Sequence, residues 1–369
     1  MAQEAEIIDQ LRGWVEAESP TQDAAAVNRV MDLAQTAWRD AGFATRRIPG
    51  RDGFGDHVAA ESPWGSADAP GILILTHLDT VHEIGAFGPA FRIEGGRIYG
   101  PGALDMKGGA LIALMAAREI AARGGCALPI RALATSDEEV GSPTSRALIE
   151  AEGTRAKYVL VPEPARDGGK CVTGRRGVGR YTLTAHGRAA HSGVAHADGR
   201  SAIREMARQV LAVEALTAYD RGLTLNIGRI AGGTTDNTVP EWCQAHLDVR
   251  MQDDAMAEEI DARLKALTAH DPDLRLTVEG GINRPPYTKT PGIAALLATA
   301  QEIAGEIGFA LEDVFTGGGS DGSFLAGHIP TLDGIGVDGA GAHTLHEHVE
   351  IASLVPRMTL LRRLMTRLV

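Results

Sequence analysis

A chain of 369 residues, 44% apolar and 23% charged, has material for about two ordinary soluble domains, each with its own core. The formal net charge of −12 speaks against a nucleic-acid partner, and no apolar run approaches a membrane span. Cys126, Cys171 and Cys243 are odd in number and far apart, so they predict neither a disulfide framework nor a Cys-x-x-Cys metal site. The opening Met1-Ala-Gln-Glu-Ala-Glu6 shows no basic and apolar leader pattern, and a reducing cytoplasm is the expected location.

Residues 4–17 place Ile7, Ile8, Leu11, Trp14 and Val15 on one helical face, and Ser19-Pro20 ends that helix. A second helix near 22–41 stops at Gly42, and short strands follow near 43–48 and 56–61. The run Gly71-Ile-Leu-Ile-Leu-Thr-His77 predicts a strand buried on both faces, as in a parallel sheet. It breaks into polar chemistry at its carboxyl end, where open α/β sheets bind ligands. There His77 and Asp79, two residues apart, face the same way. Gly95-Gly96 reads as a turn between two short strands. A helix over 110–123, a strand over 129–135, a helix near 143–151 and a strand over 158–161 continue the alternation.

The texture changes near 175. Strands near 178–187, 223–230, 244–251 and 274–280, with helices over 200–218 and 254–268, follow the order of a small ferredoxin-like α+β layer. Pro285-Pro286 reads as a return linker, after which helix, strand and helix complete the first sheet. The expectation is therefore an α/β catalytic domain, a helix-flanked and mostly parallel sheet made of residues 1–174 and 284–369. A ferredoxin-like α+β domain, residues 175–283, is inserted into it.

Acids and histidines fall where the predicted strands end: His77 and Asp79, Asp105, Glu138-Glu139, Glu163, and His343 in Gly-Ala-Gly-Ala-His-Thr-Leu-His-Glu-His348. Each alone is ordinary surface chemistry; all at one sheet edge are harder to dismiss. Imidazole and carboxylate without thiolate suit zinc, with cobalt or manganese as substitutes. Two cations about 3.5–4 Å apart need a bridging group. Asp105, flanked by glycine-rich chain, is the candidate bridge. Of two adjacent glutamates, one can ligate while the other faces substrate as a base.

The motifs Thr76-His-Leu-Asp-Thr-Val81, Tyr99-Gly-Pro-Gly-Ala-Leu-Asp-Met-Lys-Gly-Gly109, Asp137-Glu-Glu-Val-Gly141, Glu163-Pro-Ala165, His191-Ser-Gly193 and the His343 loop run nearly end to end. In this order the chain resembles the dinuclear zinc peptidase and amidohydrolase family of carboxypeptidase G-type glutamate carboxypeptidases, aminoacylases, acetylornithine deacetylase and succinyl-diaminopimelate desuccinylase. The resemblance implies that His77, Asp105 and Glu163 hold one zinc and that Asp105, Glu139 and His343 hold the other. It implies that Asp79 orients His77, that the Asp105–Met106 peptide is cis, and that Glu138 takes a proton from a bridging water and passes it to the leaving amine. It further implies a lid that dimerises. His191 then stabilises the oxyanion, Asn237 and Arg284 contact substrate, and the Gly318-Gly319 backbone helps bind a free carboxylate. His196 and Ser201 depart from the family's usual Pro and Asn. Glu163, rather than Asp, leans toward the carboxypeptidase branch.

The implied activity is hydrolysis of N-acyl amino acids or short peptides with a free carboxylate, glutamate carboxypeptidase-like, with aminoacylase-type deacylation as the alternative. The expected partners are a small carboxylate-bearing substrate and a second copy of the chain, with no membrane or nucleic acid. Two other readings stand against it. Gly318-Gly-Ser-Asp-Gly322 satisfies Gly-x-Ser-x-Gly, which makes Ser320 a candidate serine nucleophile, although Asp313-Val-Phe-Thr316 reads as a poor strand for that motif. A non-catalytic binding protein on the same fold is the other.

Overall fold

The strand Gly71–His77 is buried at all seven positions, as its unbroken apolar run requires of a strand covered on both faces. In the computed structural model, which describes residues 2–66 and 68–369, this strand lies inside an eight-stranded sheet. Met1, at the head of the expected leaderless segment, lies outside the described residues. The sheet order is Ala44–Ile48, His57–Glu61, Ile130–Thr135, Gly71–His77, Ala156–Val161, Thr331–Asp333, Cys171–Arg175 and Asp313–Thr316. The four central strands run parallel, and His57–Glu61 and Ala44–Ile48 add antiparallel pairs at one side. The parallel character thus sits where the helices cover both faces.

Helix Gly109–Ala122 buries residues around nearly its whole circumference and shares one core with Ala2–Glu16, Ala24–Asp40, Pro291–Ile307 and Ile351–Arg367. Asp23 caps Ala24–Asp40 by accepting from the Ala26 amide at 2.9 Å. Gly95 and Gly96, at φ 58° and 80°, supply the two left-handed positions of the hairpin between Arg92–Glu94 and Arg97–Tyr99.

The chain divides into two compact units: residues 1–174, 289–315 and 320–369, and residues 175–288 with 316–319. The second unit is a four-stranded antiparallel sheet, ordered Thr224–Gly232, Trp242–Met251, Gly177–His186 and Arg275–Arg284. With helices Ala202–Glu214 and Asp254–Lys265 it has the ferredoxin-like order. Cys243, Ala245, Leu247, Val249 and Met251 alternate inward along one strand into a core of its own. Ser201 caps the first helix by accepting from the Arg204 amide at 3.1 Å.

The structure moves some expected boundaries. The strand expected to stop at 280 continues through a bulge to Arg284, where Pro285, lacking an N–H, ends it. Arg175 and Tyr287 then exchange backbone bonds. Arg284 therefore belongs to the inserted unit, not to the 284–369 catalytic segment. The helix expected over 200–218 ends at Glu214, because the Thr217 hydroxyl accepts from the Leu225 amide and starts the next strand instead. Asp313–Thr316, read as a poor strand, forms the sheet's last strand.

Candidate metal centre

Parallel register builds the site. His77 pairs level with Thr135, so the loops after Gly71–His77 and Ile130–Thr135 leave the sheet together. Asp79, fully buried, sits between them. Its Oδ1 accepts from the Glu138 amide and its Oδ2 from the Glu139 amide, both at 3.2 Å. The Thr21 hydroxyl donates to Oδ2 at 2.8 Å. The His77 Nδ1 lies 3.1 Å from the Asp79 carbonyl and 3.4 Å from its Oδ1, which leaves Nε2 to face the cluster. One carboxylate therefore orients a histidine and both glutamates.

Asp105 arrives from the segment before helix Gly109–Ala122, where its peptide with Met106 is cis. That helix starts so close to the end of strand Ala156–Val161 that a Cβ on Gly109 would lie 1.8 Å from the Pro162 carbonyl oxygen. Asp105 Oδ1 lies 3.2 Å from His77 Nε2, and its Oδ2 lies 3.4 Å from His343 Nε2. Glu163 Oε1 is 3.7 Å from His77 Nε2, and Glu139 Oε2 is 3.1 Å from His343 Nε2. The carboxylate of Asp105 thus faces one imidazole and one glutamate on each side. His343 reaches it from a loop in which its own φ is 63°, a left-handed conformation uncommon outside glycine. His348 turns elsewhere: its Nδ1 donates to the His346 carbonyl at 2.8 Å.

The electrostatics point to missing positive charge. Burial pushes the Glu139 carboxyl up to about 8, with Asp105 adding repulsion against the pull of His343. Burial and then Asp105 raise Glu163 well above the ordinary carboxylate range. Burial also opposes the Asp105 charge, but His343 and His77 hold its pKa well below that range. Bonds to Asp105 and Glu139 raise the His343 imidazole to about 10. For His77, burial opposes protonation, yet Asp105 and Asp79 outweigh it and hold the pKa well above normal. Protons here do the work that cations could do. Ligand atoms of His77, Asp105 and Glu139 lie within 4.8 Å of one another, and the donor set fits hard-to-borderline divalent ions.

Sequence reasoning missed the supports of this cluster. Glu347, buried, accepts from the Leu104 amide at 2.9 Å and the Asp105 amide at 3.0 Å. His82 Nε2 lies 2.7 Å from its other oxygen. No local signal marked His82 or Thr21, since their partners are remote in sequence.

The inserted unit carries the remaining expected residues. His191 lies on a two-stranded ribbon with Thr238–Val239, next to Asn237, whose carbonyl accepts from the Ser192 amide. His191 Nδ1 accepts from the Gly193 amide at 3.1 Å, which places the neutral ring's proton on the exposed Nε2. Arg284 is buried against Gly319, where a Cβ would stand 2.7 Å from its Cδ. The Gly318 and Gly319 carbonyls accept from Nη1 of Arg175 at 3.0 and 3.3 Å. Arg175 was not anticipated; fully buried, it pins the glycine run.

The serine reading fails on geometry. Ser320 is fully buried and donates to Asp333 at 2.6 Å, while His343, its would-be base, is engaged with Asp105 and Glu139. A strand and a short helix, Ser323–Ala326, do flank it, but the hydroxyl is not presented.

Fold and comparison together define a metallopeptidase or amidohydrolase. The chain belongs to peptidase family M20/M25/M40, whose model matches residues 73–367. It is 28% identical over 375 residues to carboxypeptidase G2 of Pseudomonas sp. (strain RS-16), covering 97% of this chain and 88% of that protein. It is 29% identical over 366 residues to succinyl-diaminopimelate desuccinylase of Delftia acidovorans, with 92% of each chain covered. In fold it matches Bacillus subtilis YXEP, a dinuclear metal binding peptidase of the M20 family, with a TM-score of 0.70 at 15% identity. That match covers 99% of this chain and 98% of the other.

Proposed function

We propose that this enzyme hydrolyses the amide bond of N-acyl amino acids or short peptides bearing a free C-terminal carboxylate, in the manner of a glutamate carboxypeptidase. In this reading His77, Asp105 and Glu163 hold one zinc ion, and Asp105, Glu139 and His343 hold the other; cobalt or manganese can substitute. When bound, the pair polarises the scissile carbonyl and acidifies the attacking water. Glu138 accepts that water's proton and delivers it to the leaving nitrogen. The Nε2–H of His191 donates to the developing oxyanion, Asn237 positions substrate, and Arg284 with the Gly318-Gly319 backbone engages the carboxylate.

The carrying observation is the divided carboxylate of Asp105, one oxygen 3.2 Å from His77 and the other 3.4 Å from His343. A homodimer formed through the inserted unit is part of the proposal. Exposed Leu211 and Ile230 and the edge strand Thr224–Gly232 support it. No helix among the described residues is long and apolar enough to cross a membrane, in keeping with the proposed cytoplasmic location and small-molecule substrate. The similarity to a desuccinylase, an enzyme named for removing an N-acyl group, favours N-acyl amino acid deacylation as a second reading. The test is a screen of zinc-loaded enzyme on N-acyl amino acids, peptides and their C-terminal amides, scored by released amine. The free acids should turn over and the amides should lose most of that rate. Equal rates for acid and amide would refute the assignment.

A further inference from the structure

The segment that carries Glu138 and Glu139, residues 136–145, joins strand Ile130–Thr135 to helix Arg146–Gly153. Its course is not a relaxed one. Gly141 and Ser142 both take left-handed φ, 99° and 59°, and Ser142 has a side chain. Such a turn persists where its surroundings hold it. Asp321, buried, accepts from the Ser142 hydroxyl with Oδ1 and from the Thr135 hydroxyl with Oδ2, the latter at 2.9 Å. Asp137, fully buried, accepts from the Thr144 amide at 2.6 Å and the Ser145 amide at 3.2 Å.

One further side chain reaches both ends of the segment. His57, the first residue of strand His57–Glu61, is 1% exposed. Its Nδ1 accepts from the Ser136 amide at 3.3 Å, and its Nε2 lies 3.2 Å from the Thr144 hydroxyl. A backbone amide can only donate, so Nδ1 offers its lone pair and the neutral ring's proton sits on Nε2. The Nε2–H then donates to the Thr144 hydroxyl, which donates in turn to Asp137 Oδ2 at 2.7 Å. Asp137, Asp321, Asp79 and Asp56 all favour a charged ring, yet burial outweighs them and lowers its pKa. The ring is therefore neutral at pH 7, as the amide contact requires. A carboxylate at this position would add a fifth negative charge, and lysine or arginine could not accept from the amide.

We propose that His57 is a positioning residue for the reaction: its ring fixes both ends of segment 136–145 and so sets where the Glu138 and Glu139 carboxylates stand. The proposal rests on the hydrolase reading for the roles of those two glutamates, while the order of the segment can be measured without it.

The test compares the full-length parent with His57→Leu and His57→Asn, all at saturating zinc. Leucine fills the space and makes neither bond; asparagine restores an acceptor for the Ser136 amide. On a substrate that the parent hydrolyses, the leucine variant should lose about 10- to 100-fold in kcat, with KM changed by less than about threefold, the signature of misplaced catalytic groups. Deuterium exchange of the backbone amides in 136–145 should also become about tenfold faster or more, because that segment then opens locally. The asparagine variant should recover to within about fivefold of the parent in both readouts, since the amide has its acceptor again. If the leucine variant does not fold, Thr144→Val, which removes the hydroxyl that the ring donates to, should show the same two changes. Parent-like kcat or parent-like exchange in the folded leucine or valine variant overturns the proposal, as does an asparagine variant no better than the leucine one. A parent inactive on every amide substrate would refute the hydrolase reading alone, and exchange over 136–145 would still decide the role of His57.

Discussion

Two buried acids, one in each unit, are both penalised by burial, yet their pKa values move in opposite directions. Glu205, in the inserted unit, is opposed by burial, yet the His270 amide, the His270 ring and Gln209 hold its pKa below the ordinary value. Those donors reach its Oε1 at 2.9, 2.9 and 2.8 Å. Glu163, at the sheet edge of the first unit, is pushed up by burial and then by Asp105. Burial alone therefore does not decide a carboxylate's charge; the donors around it do. The inserted unit compensates Glu205 from its own chain, whereas the candidate metal centre gathers acids around two imidazoles, an arrangement that suits positive charge from outside.

The largest test of that contrast is Asp105→Ala, which should lose both ions and all turnover, while Glu205→Ala keeps its full metal content by elemental analysis. An Asp105→Ala protein retaining two ions per chain would break the comparison. Next, Glu138→Gln should reduce turnover by about 10²–10⁴-fold with metal content unchanged, since under the proposed function it removes a proton carrier and not a ligand. That outcome also separates an enzyme from a binding protein on the same fold.

A third prediction concerns protons. Without metal, His343 near 10 and Glu139 near 8 both carry a proton at neutral pH. Cations must displace these protons, so uptake should release them and affinity should rise as pH increases through neutrality. Calorimetry in two buffers of different ionisation enthalpy reads the release directly; pH-independent affinity would contradict it. The smallest effect belongs to the compensated acid. Glu205→Gln should cost about 1–3 kcal/mol in urea unfolding at pH 7, the usual worth of hydrogen bonds to a charged group. Because the folded pKa is lowered, this stability exists above the unfolded pKa and is lost as pH falls through the folded one. The gap between parent and variant should therefore close in acid.

The readable part of the site was its order along the chain. The apolar run into His77, the Glu138-Glu139 pair after a buried strand and the loop of His343 each follow from local period and turn chemistry. What holds them in place was not readable. Glu347 accepts from the Asp105 amide, 242 residues away, and Thr21 donates to Asp79 across 58. Arg175 braces the glycine run across 143. Such contacts leave no trace in any local window.

The sequence by itself determined the strands, the helices, the insertion near residue 175 and the set of acids and imidazoles available at strand ends, because period and turn residues act over a few positions. Tertiary structure decided which members meet. Parallel register set His77 level with Thr135, a left-handed turn brought His343 rather than His348 to Asp105, and packing buried Ser320 beside Asp333. It also carried the last strand of the inserted unit on to Arg284. These outcomes depend on distances between segments remote in the chain, which only the packed core defines.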